Sequence, residues 1–148
     1  MLTLAVDHKH STVHSVSPSH LPIAHCVPAT EAVPVLDAVV FAKLAADLQS
    51  RSAAIRVVAT FRNLLPQRIR ELHVKIAAED TEAASTILLG LNVGASMVGA
   101  RRLEVLTQSV LTSLGQGRGA SARMLLTKLS TEGVRFYTDA AHAFTRAA

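Results

Sequence analysis

Aromatic residues and cysteine are scarce in this sequence, and their scarcity limits the folds that it can adopt. Only 3% of the 148 residues are aromatic and none is tryptophan, whereas 49% are hydrophobic. The apolar side chains are therefore mainly those of Ala, Val, Leu and Ile, which favour interdigitating helices over a sandwich of strands. The length suits one domain with a single core. The one cysteine, Cys26, permits no disulfide within the chain, which agrees with a reducing compartment.

Long apolar runs are also lacking. No stretch approaches the roughly 18 uncharged apolar residues that a membrane-spanning helix needs. Residues 1–6 (MLTLAV) form an apolar run, but Asp7 and Lys9 follow directly, so the run is too short for the core of a secretory signal. We therefore expect a cytoplasmic protein without a membrane partner.

The chain is basic, with a formal net charge of +4, and the excess lies in residues 35–148, which hold 14 Lys and Arg against 9 Asp and Glu. An excess of positive charge is compatible with binding to nucleic acid, to an anionic membrane or to an acidic protein. No basic stretch is interleaved with stacking aromatics and no DNA-reading motif is present, so we expect no nucleic-acid partner. A solvated face is the main interpretation of the five arginines on the second predicted helix, which are Arg51, Arg56, Arg62, Arg68 and Arg70.

Residues 1–34 differ in composition from the rest of the chain. They contain four of the five prolines and five of the seven histidines, and their apolar residues show no helical or strand period. Since such a segment cannot offset the entropy cost of ordering, we expect a flexible Ser/Pro/His-containing tail. Its potential ligands lack the spacing that holds zinc in a fixed tetrahedron, so we predict no metal site and no cofactor. The potential zinc ligands of this segment are His8, His10, His14, His20, His25 and Cys26.

Helical periodicity begins at Val35 and predicts an all-α fold for residues 35–148. We expect an up-and-down antiparallel four-helix bundle with a short extra N-terminal helix over residues 37–48. Pro66 predicts a kink or a restart of the second helix near Leu65, and Gly99 and Gly115 end the third and fourth helices. The predicted inward-facing residues are Val40, Phe41, Leu44 and Leu48; Ala54, Val58, Phe61, Leu65, Ile69, Leu72 and Ile76; Ala84, Leu88, Leu91, Ala95 and Val98; Leu103, Leu106, Val110 and Leu114; and Leu125, Leu129, Phe136, Ala140 and Phe144.

Motifs that carry chemistry are scarce, and we expect no enzyme activity. There is no HExxH or paired CxxC, and the glycine-rich residues 115–119 lack the Lys-Ser/Thr ending of a phosphate loop, which favours an interhelical linker. Glu79, Asp80 and Glu82 are best explained as capping and dipole partners at a helix start. His73 and His142 are interpreted as surface histidines, with no local partner to support proton transfer.

Three segments resemble the histidine-containing phosphotransfer (HPt) domain of two-component phosphorelays. They are residues 64–72 (LLPQRIREL), Asp80, and residues 89–100 (LGLNVGASMVGA). In that family an LPxRLxxL helix leads to an acidic turn. The next helix carries H-S-L-K-G-S-A-x-x-V-G-A, whose histidine accepts and donates a phosphoryl group. The resemblance spans roughly residues 35–145 and implies a helical bundle and a part in phosphorelay signalling.

The sequence departs from this family at the phospho-acceptor. Counting back from the Val-Gly-Ala at residues 98–100, and forward nine residues from Asp80, the histidine position falls on Leu89. The family's lysine becomes Asn92 and its glycine becomes Val93. Since leucine has no lone pair to attack an aspartyl phosphate, the resemblance implies that no residue here performs the phosphoryl transfer.

Leu89 and Val93 are four residues apart and share one face of the third helix. Because the buried stripe passes through Leu88 and Leu91, we expect this face to point outward. The predicted partner-binding residues are Ser85, Leu89, Asn92, Val93 and Ser96.

We interpret this face as the docking surface of a pseudo-phosphotransfer protein that binds a response-regulator receiver domain or a histidine kinase. One alternative is a structural bundle that forms a homodimer through Leu89 and Val93. Others are an ordinary surface leucine, a seam covered by the tail, and an active phosphotransferase that uses His73.

Overall fold

The computed structural model describes residues 34–145, with side chains to residue 144, and this part of the chain contains five helices and no strand. The predicted all-α fold is thus confirmed. The tail predicted for residues 1–34 lies, apart from Pro34, outside the described residues. The helices are α1 (Ala38–Asp47), α2 (Arg51–Ala77), α3 (Thr81–Val98), α4 (Arg101–Gly115) and α5 (Gly119–Thr145).

Helices α2 to α5 form a closed four-helix ring. Helix α3 packs against α2 and α4, and α5 packs against the other sides of α4 and α2. The connections are only a few residues long, so consecutive helices run antiparallel. Helix α1 lies against α2 and α3 at one end of the bundle. The predicted up-and-down bundle with a short extra N-terminal helix is confirmed.

The core runs along the centre of this ring. The inward stripe predicted for α3 is buried throughout, and so is the stripe predicted for α2 except for Phe61, which is partly buried. The buried apolar residues are Phe41, Ala54, Val58, Leu65, Ile69, Leu72, Ile76, Ala84, Leu88, Leu91, Ala95, Val98, Ala100, Leu103, Val110, Ala122, Leu126, Leu129, Phe136 and Ala140.

The predicted inward face of α4 is partly wrong. Leu106 and Leu114 are only partly buried, while Thr107 and Ser113 take inward positions. Thr107 can lie in the core because its hydroxyl donates a hydrogen bond to the carbonyl oxygen of Leu103 at 2.8 Å. A satisfied hydroxyl loses little on burial, so a polar residue replaces a leucine in the inward stripe.

Similar corrections apply to α5 and α1. Leu126 is buried where Leu125 was expected, and Leu125 is partly buried at the edge of the core. Phe144 is also partly buried, with its ring centroid 5.6 Å from that of Phe41. Leu48 is exposed because it caps the C-terminus of α1 rather than continuing its apolar side.

Helix α2 continues through Pro66, so the predicted restart near Leu65 is wrong. A proline inside a helix costs about 3 kcal/mol, since it removes one hydrogen bond and crowds the preceding turn. Leu65 and Ile69 lie on either side of Pro66 and are both buried in the core. Packing along the 27 residues of α2 outweighs the local penalty.

The acidic segment before α3 divides between two helix ends. Asp80 is the N-cap of α3, as predicted, and its side chain accepts a hydrogen bond from the Ala83 N–H at 3.1 Å. That bond, followed by the hydrogen bond from Lys75, lowers the pKa of Asp80. Glu79 instead adopts a left-handed conformation with φ 57° just after α2. It therefore belongs to the end of α2 rather than to the start of α3.

The turn between α3 and α4 anchors α1 to the bundle. Gly99 has φ 79°, and the N–H of Ala100 donates to the carbonyl oxygen of Ala95 at 2.8 Å, so the end of α3 is tightly closed. The Asp37 N–H donates to the carbonyl oxygen of Gly99 at 2.9 Å, and Arg101 Nε lies 3.3 Å from Asp37 Oδ2. The N–H of Val40 and the guanidinium of Arg101 lower the pKa of Asp37, which favours the charged N-cap.

Replacing Gly99 should be costly. An added Cβ would lie 3.0 Å from Val40 Cβ and 3.1 Å from the Asp37 carbonyl oxygen, in a conformation that L-residues rarely adopt. We expect Gly99→Ala to lower the free energy of unfolding by about 1–3 kcal/mol, measured by urea denaturation. Gly115→Ala is the matched control, because that helical glycine has open space around it, and it should leave stability equal or slightly higher. Equal urea midpoints for the two variants would contradict this account of the turn.

Candidate partner-docking site

Three apolar side chains stand out of the bundle on successive turns of α3. Leu89 is 55% exposed, Val93 60% and Met97 50%, and their spacing of four residues places them side by side along the helix. We call these three residues the α3 ridge. Leu89 and Val93 thus point outward as the helical phase predicts, while Met97 extends the surface by one turn.

The polar residues predicted for this site lie on the flank of the ridge that faces α4. Asn92 is partly buried, and its amide donates to the carbonyl oxygen of Glu104 at 2.9 Å and to Thr107 Oγ1 at 3.0 Å. Ser85 and Ser96 are also partly buried, on the same side of α3 as Asn92. The Asn92 amide therefore ties α3 to α4, and the partner contacts predicted for these three residues stay predictions.

A shallow apolar groove runs along the opposite flank, between α2 and α3. One part of about 480 Å³ is lined by Val57, Gly94 and Met97, and a neighbouring part of about 320 Å³ reaches Ile87 and Gly90. Phe61 and Leu64 line both parts, so the two form one continuous depression, which we call the α2–α3 groove. Sequence analysis missed this groove because it is formed by two helices, and the period of one helix gives no sign of it.

Two glycines of α3 border the groove in different ways. At Gly94 an added Cβ would lie 2.8 Å from two ring carbons of Phe61, so the absence of a side chain lets α2 and α3 approach closely. At Gly90 an added Cβ would have no atom within 4 Å. A glycine inside a helix costs roughly 0.5–1 kcal/mol relative to alanine, and no described residue occupies the space beside Gly90. The α3 backbone is therefore open next to Leu89.

Two of the arginines of α2 lie at the rim of the groove. Arg56 lines the part near Met97, and Arg68 lines the part near Gly90. Arg68 lies 3.4 Å from Glu71 in an exposed pair, whereas Arg56 forms no ion pair with the residues that the structure describes. The rim is therefore positively charged around an apolar floor.

Two of the other three arginines of α2 point elsewhere. The guanidinium of Arg51 lies 5.4 Å above the ring centroid of Phe41, and that of Arg62 lies 4.0 Å above the ring of Tyr137 on α5. Arg62 Nε also donates to the Tyr137 carbonyl oxygen at 2.6 Å. The five arginines therefore do not form one basic patch.

His73 lies on the side of α2 that faces α5, away from the α3 ridge. Its Nε2 is 2.8 Å from Ser130 Oγ, so the histidine has a local partner that the sequence did not reveal. Ser130 Oγ also lies 2.9 Å from the Leu126 carbonyl oxygen, and a hydroxyl that donates to this carbonyl would accept from His73 Nε2–H. This contact between His73 and Ser130 links α2 to α5.

Other kinds of site are missing from the described residues. Among residues 34–145, no three or more His, Cys, Asp or Glu side chains are grouped so that they could hold a metal ion. In the same range, no helix combines the length and the hydropathy that crossing a bilayer requires.

Comparisons with known proteins bear on the fold. No protein-family model matches the chain, and no curated protein matches it. Among solved structures, the crystal structure of histidine-containing phosphotransfer protein B from Pseudomonas aeruginosa PAO1 superposes with a TM-score of 0.69. The match covers 76% of this chain and 96% of that protein, at 23% sequence identity.

The chain has an HPt-like fold. At this level of identity the likeness concerns the backbone architecture. The family resemblance in the three sequence segments is therefore supported as a resemblance of fold, and the assignment of Leu89 to the phospho-acceptor position stays a prediction.

The rotational phase of α3 can be tested by placing a carboxylate at two adjacent positions. Leu88→Asp puts a charge into the core and should unfold the domain or remove most of its stability. Leu89→Asp faces solvent and should change the free energy of unfolding by about 0.5 kcal/mol or less. Circular dichroism and urea denaturation distinguish the two variants. The opposite order of stabilities would show that the ridge has been placed on the wrong face.

Proposed function

We propose that this protein is a pseudo-phosphotransfer protein, which docks a response-regulator receiver domain or a histidine kinase without carrying phosphate. The observation that carries the proposal is Leu89: on an HPt-like bundle it is exposed, at the position that the sequence motif assigns to the phospho-acceptor histidine. A surface that meets phosphorelay partners would thus be kept while the chemistry is lost.

The side chains around Leu89 support the absence of phosphoryl transfer. Leucine offers no nucleophile, and α3 contains no histidine. Asn92, which takes the place of the family's lysine, is neutral and is hydrogen-bonded to α4. Val93 places a β-branched side chain where the family has glycine. His73 is the histidine of α2, and it lies on the face toward α5, bonded to Ser130.

The shape and charge of the surface support a protein partner. The α3 ridge and the α2–α3 groove form one exposed apolar area, which is typical of an interaction site. Arg56 and Arg68 add positive charge at its rim. Receiver domains carry an acidic pocket, so the arginines would favour and orient their approach.

A carboxylate at the centre of the ridge should weaken docking. We expect Leu89→Asp to reduce the affinity for a receiver domain or kinase partner by about 2–5 kcal/mol, because the charge is desolvated in an apolar contact and repelled by an acidic partner. Isothermal titration against the receiver domains and histidine kinases of the same genome measures this. Met124→Asp is the matched control, since Met124 is equally exposed on α5, which does not contact α3.

The titrations also separate this proposal from a structural bundle. If no receiver or kinase binds, and if sedimentation shows a wild-type dimer that Leu89→Asp dissociates, then the ridge is a homodimer seam and the docking proposal is wrong.

Incubation with a phosphorylated receiver or a small phosphodonor should leave no acid-labile phosphate on the protein. The changes Leu89→His, Asn92→Lys and Val93→Gly together should restore some labelling, because they supply the nucleophile, the charge and the space that the family motif has. Mass spectrometry locates any label. Phosphohistidine at His73 in the wild-type chain, lost in His73→Gln, would overturn the pseudo-phosphotransfer assignment.

A further inference from the structure

The α2–α3 groove lies beside the α3 ridge. Between them, Gly90 has no side chain, and an added Cβ there would meet no atom within 4 Å. Leu64 is 48% exposed on the α2 side, close in exposure to the ridge residues. An apolar surface of this kind is stable in water only at a cost, which an occupant would relieve. The helix-interior glycine further indicates that the occupant approaches the backbone closely.

The N-terminal segment of this chain is a candidate occupant, because the described chain starts close to one end of the groove. The Asp37 N–H is bonded to the carbonyl oxygen of Gly99, two residues beyond Met97. Met97 and Val98 line the end of the groove. The described chain, which starts at Pro34, therefore enters the bundle near this end of the groove.

The length of this segment is sufficient to reach the whole groove. From Met97 to Leu89 the helix rises by about 12 Å. Between Val6 and Pro34 there are 27 residues, and a flexible chain of that length spans about 30 Å on average. Such a tether would hold residues 1–6 at an effective concentration of about 1 mM near the groove.

The composition of residues 1–6 suits an apolar groove with a basic rim. Leu2, Leu4 and Val6 alternate along the run, so an extended backbone would present all three to one side. Asp7 follows directly and adds a negative charge that complements the basic rim. Residues 1–33 hold one lysine against two acidic residues, whereas the bundle is basic, so their charges are complementary overall.

We propose that residues 2–6 of this chain dock reversibly in the α2–α3 groove beside Gly90 and cover the α3 ridge. The N-terminal segment then competes with any partner for the ridge. This regulatory consequence rests on the proposed function, whereas the intramolecular contact does not.

The contact can be tested in the full chain by paramagnetic relaxation enhancement. A nitroxide is attached at residue 8 in the variant Cys26→Ser, His8→Cys, which holds a single cysteine. We expect selective broadening of the amide signals of Leu64, Gly90 and Gly94, and none at Val105 or Met124, which are exposed on α4 and α5. Adding Leu2→Asp, Leu4→Asp and Val6→Asp to the labelled chain should abolish the broadening without altering the bundle.

A mixed sample distinguishes this contact from a second copy. Labelled chains without nitrogen-15 are combined with unlabelled nitrogen-15 chains, and the proposal requires that the groove signals then stay sharp. Broadening in the mixture would assign the groove to a neighbouring molecule and overturn the proposal. Weak, uniform broadening in the single-chain sample, or broadening that survives the three aspartates, would overturn it as well.

The regulatory consequence has a separate readout. If a receiver or kinase binds, the three aspartates should tighten its dissociation constant by about 3- to 10-fold, because an effective concentration near 1 mM competes with a weak contact. Unchanged affinity together with groove broadening would leave the contact in place but overturn its inhibitory role. Absence of any partner would contradict the proposed function and would leave the relaxation result to decide the contact.

Discussion

The rotational setting of α3 about its own axis determines which of its side chains this protein presents on its surface. Three contacts fix that setting: the buried stripe through Leu88 and Leu91, the Asn92 amide bonded to α4, and the close packing of Gly94 on Phe61. A rotation of one residue would bury Leu89 and expose Leu88, with a cost of several kcal/mol. Because core packing and the α4 hydrogen bonds agree, the ridge faces outward independently of any partner.

The turn after α3 explains why one part of the sequence resemblance reflects the fold. In the segment Val98, Gly99 and Ala100, the glycine has a positive φ, and the residues on either side are buried. These requirements come from closing the helix and seating Asp37, and none of them involves a phosphoryl group. The part of the sequence resemblance that this turn explains is therefore structural, and the resemblance of positions 89, 92 and 93 to chemical positions of the family remains a prediction.

Sequence periodicity predicted α2 and α3 well because their apolar residues follow one clear stripe. It failed where side-chain identity is a poor guide to burial. Leu125 and Leu126 are adjacent leucines about 100° apart on the helix, and only contact with the neighbouring helices selects Leu126. Thr107 is polar but satisfied inside its own helix, and Pro66 is tolerated because Leu65 and Ile69 on either side of it are buried.

Only the part of the candidate site that depends on a single helix could be predicted from the sequence. The outward direction of Leu89 and Val93 follows from one helix, so sequence was sufficient. The α2–α3 groove and the bond between His73 and Ser130 depend on how two helices pair, which the pattern of either helix alone does not encode. The hydrogen bonds from Asn92 to α4 likewise depend on how α3 and α4 are aligned along their axes, which the sequence of α3 alone does not show.

The exposed α3 ridge and the open backbone at Gly90 are relevant to whether this surface binds another molecule. A solvent-facing helix position accepts polar residues at little cost, and alanine at position 90 would favour the helix by up to about 1 kcal/mol. Leu89, Val93 and Met97 instead keep apolar area in water next to a glycine that no described side chain contacts. Both features lower the stability or solubility of the isolated bundle, and both favour close apposition of another apolar surface. Their coincidence at one place on α3 therefore supports the proposal that another apolar surface, from a partner or from the N-terminal segment, docks there.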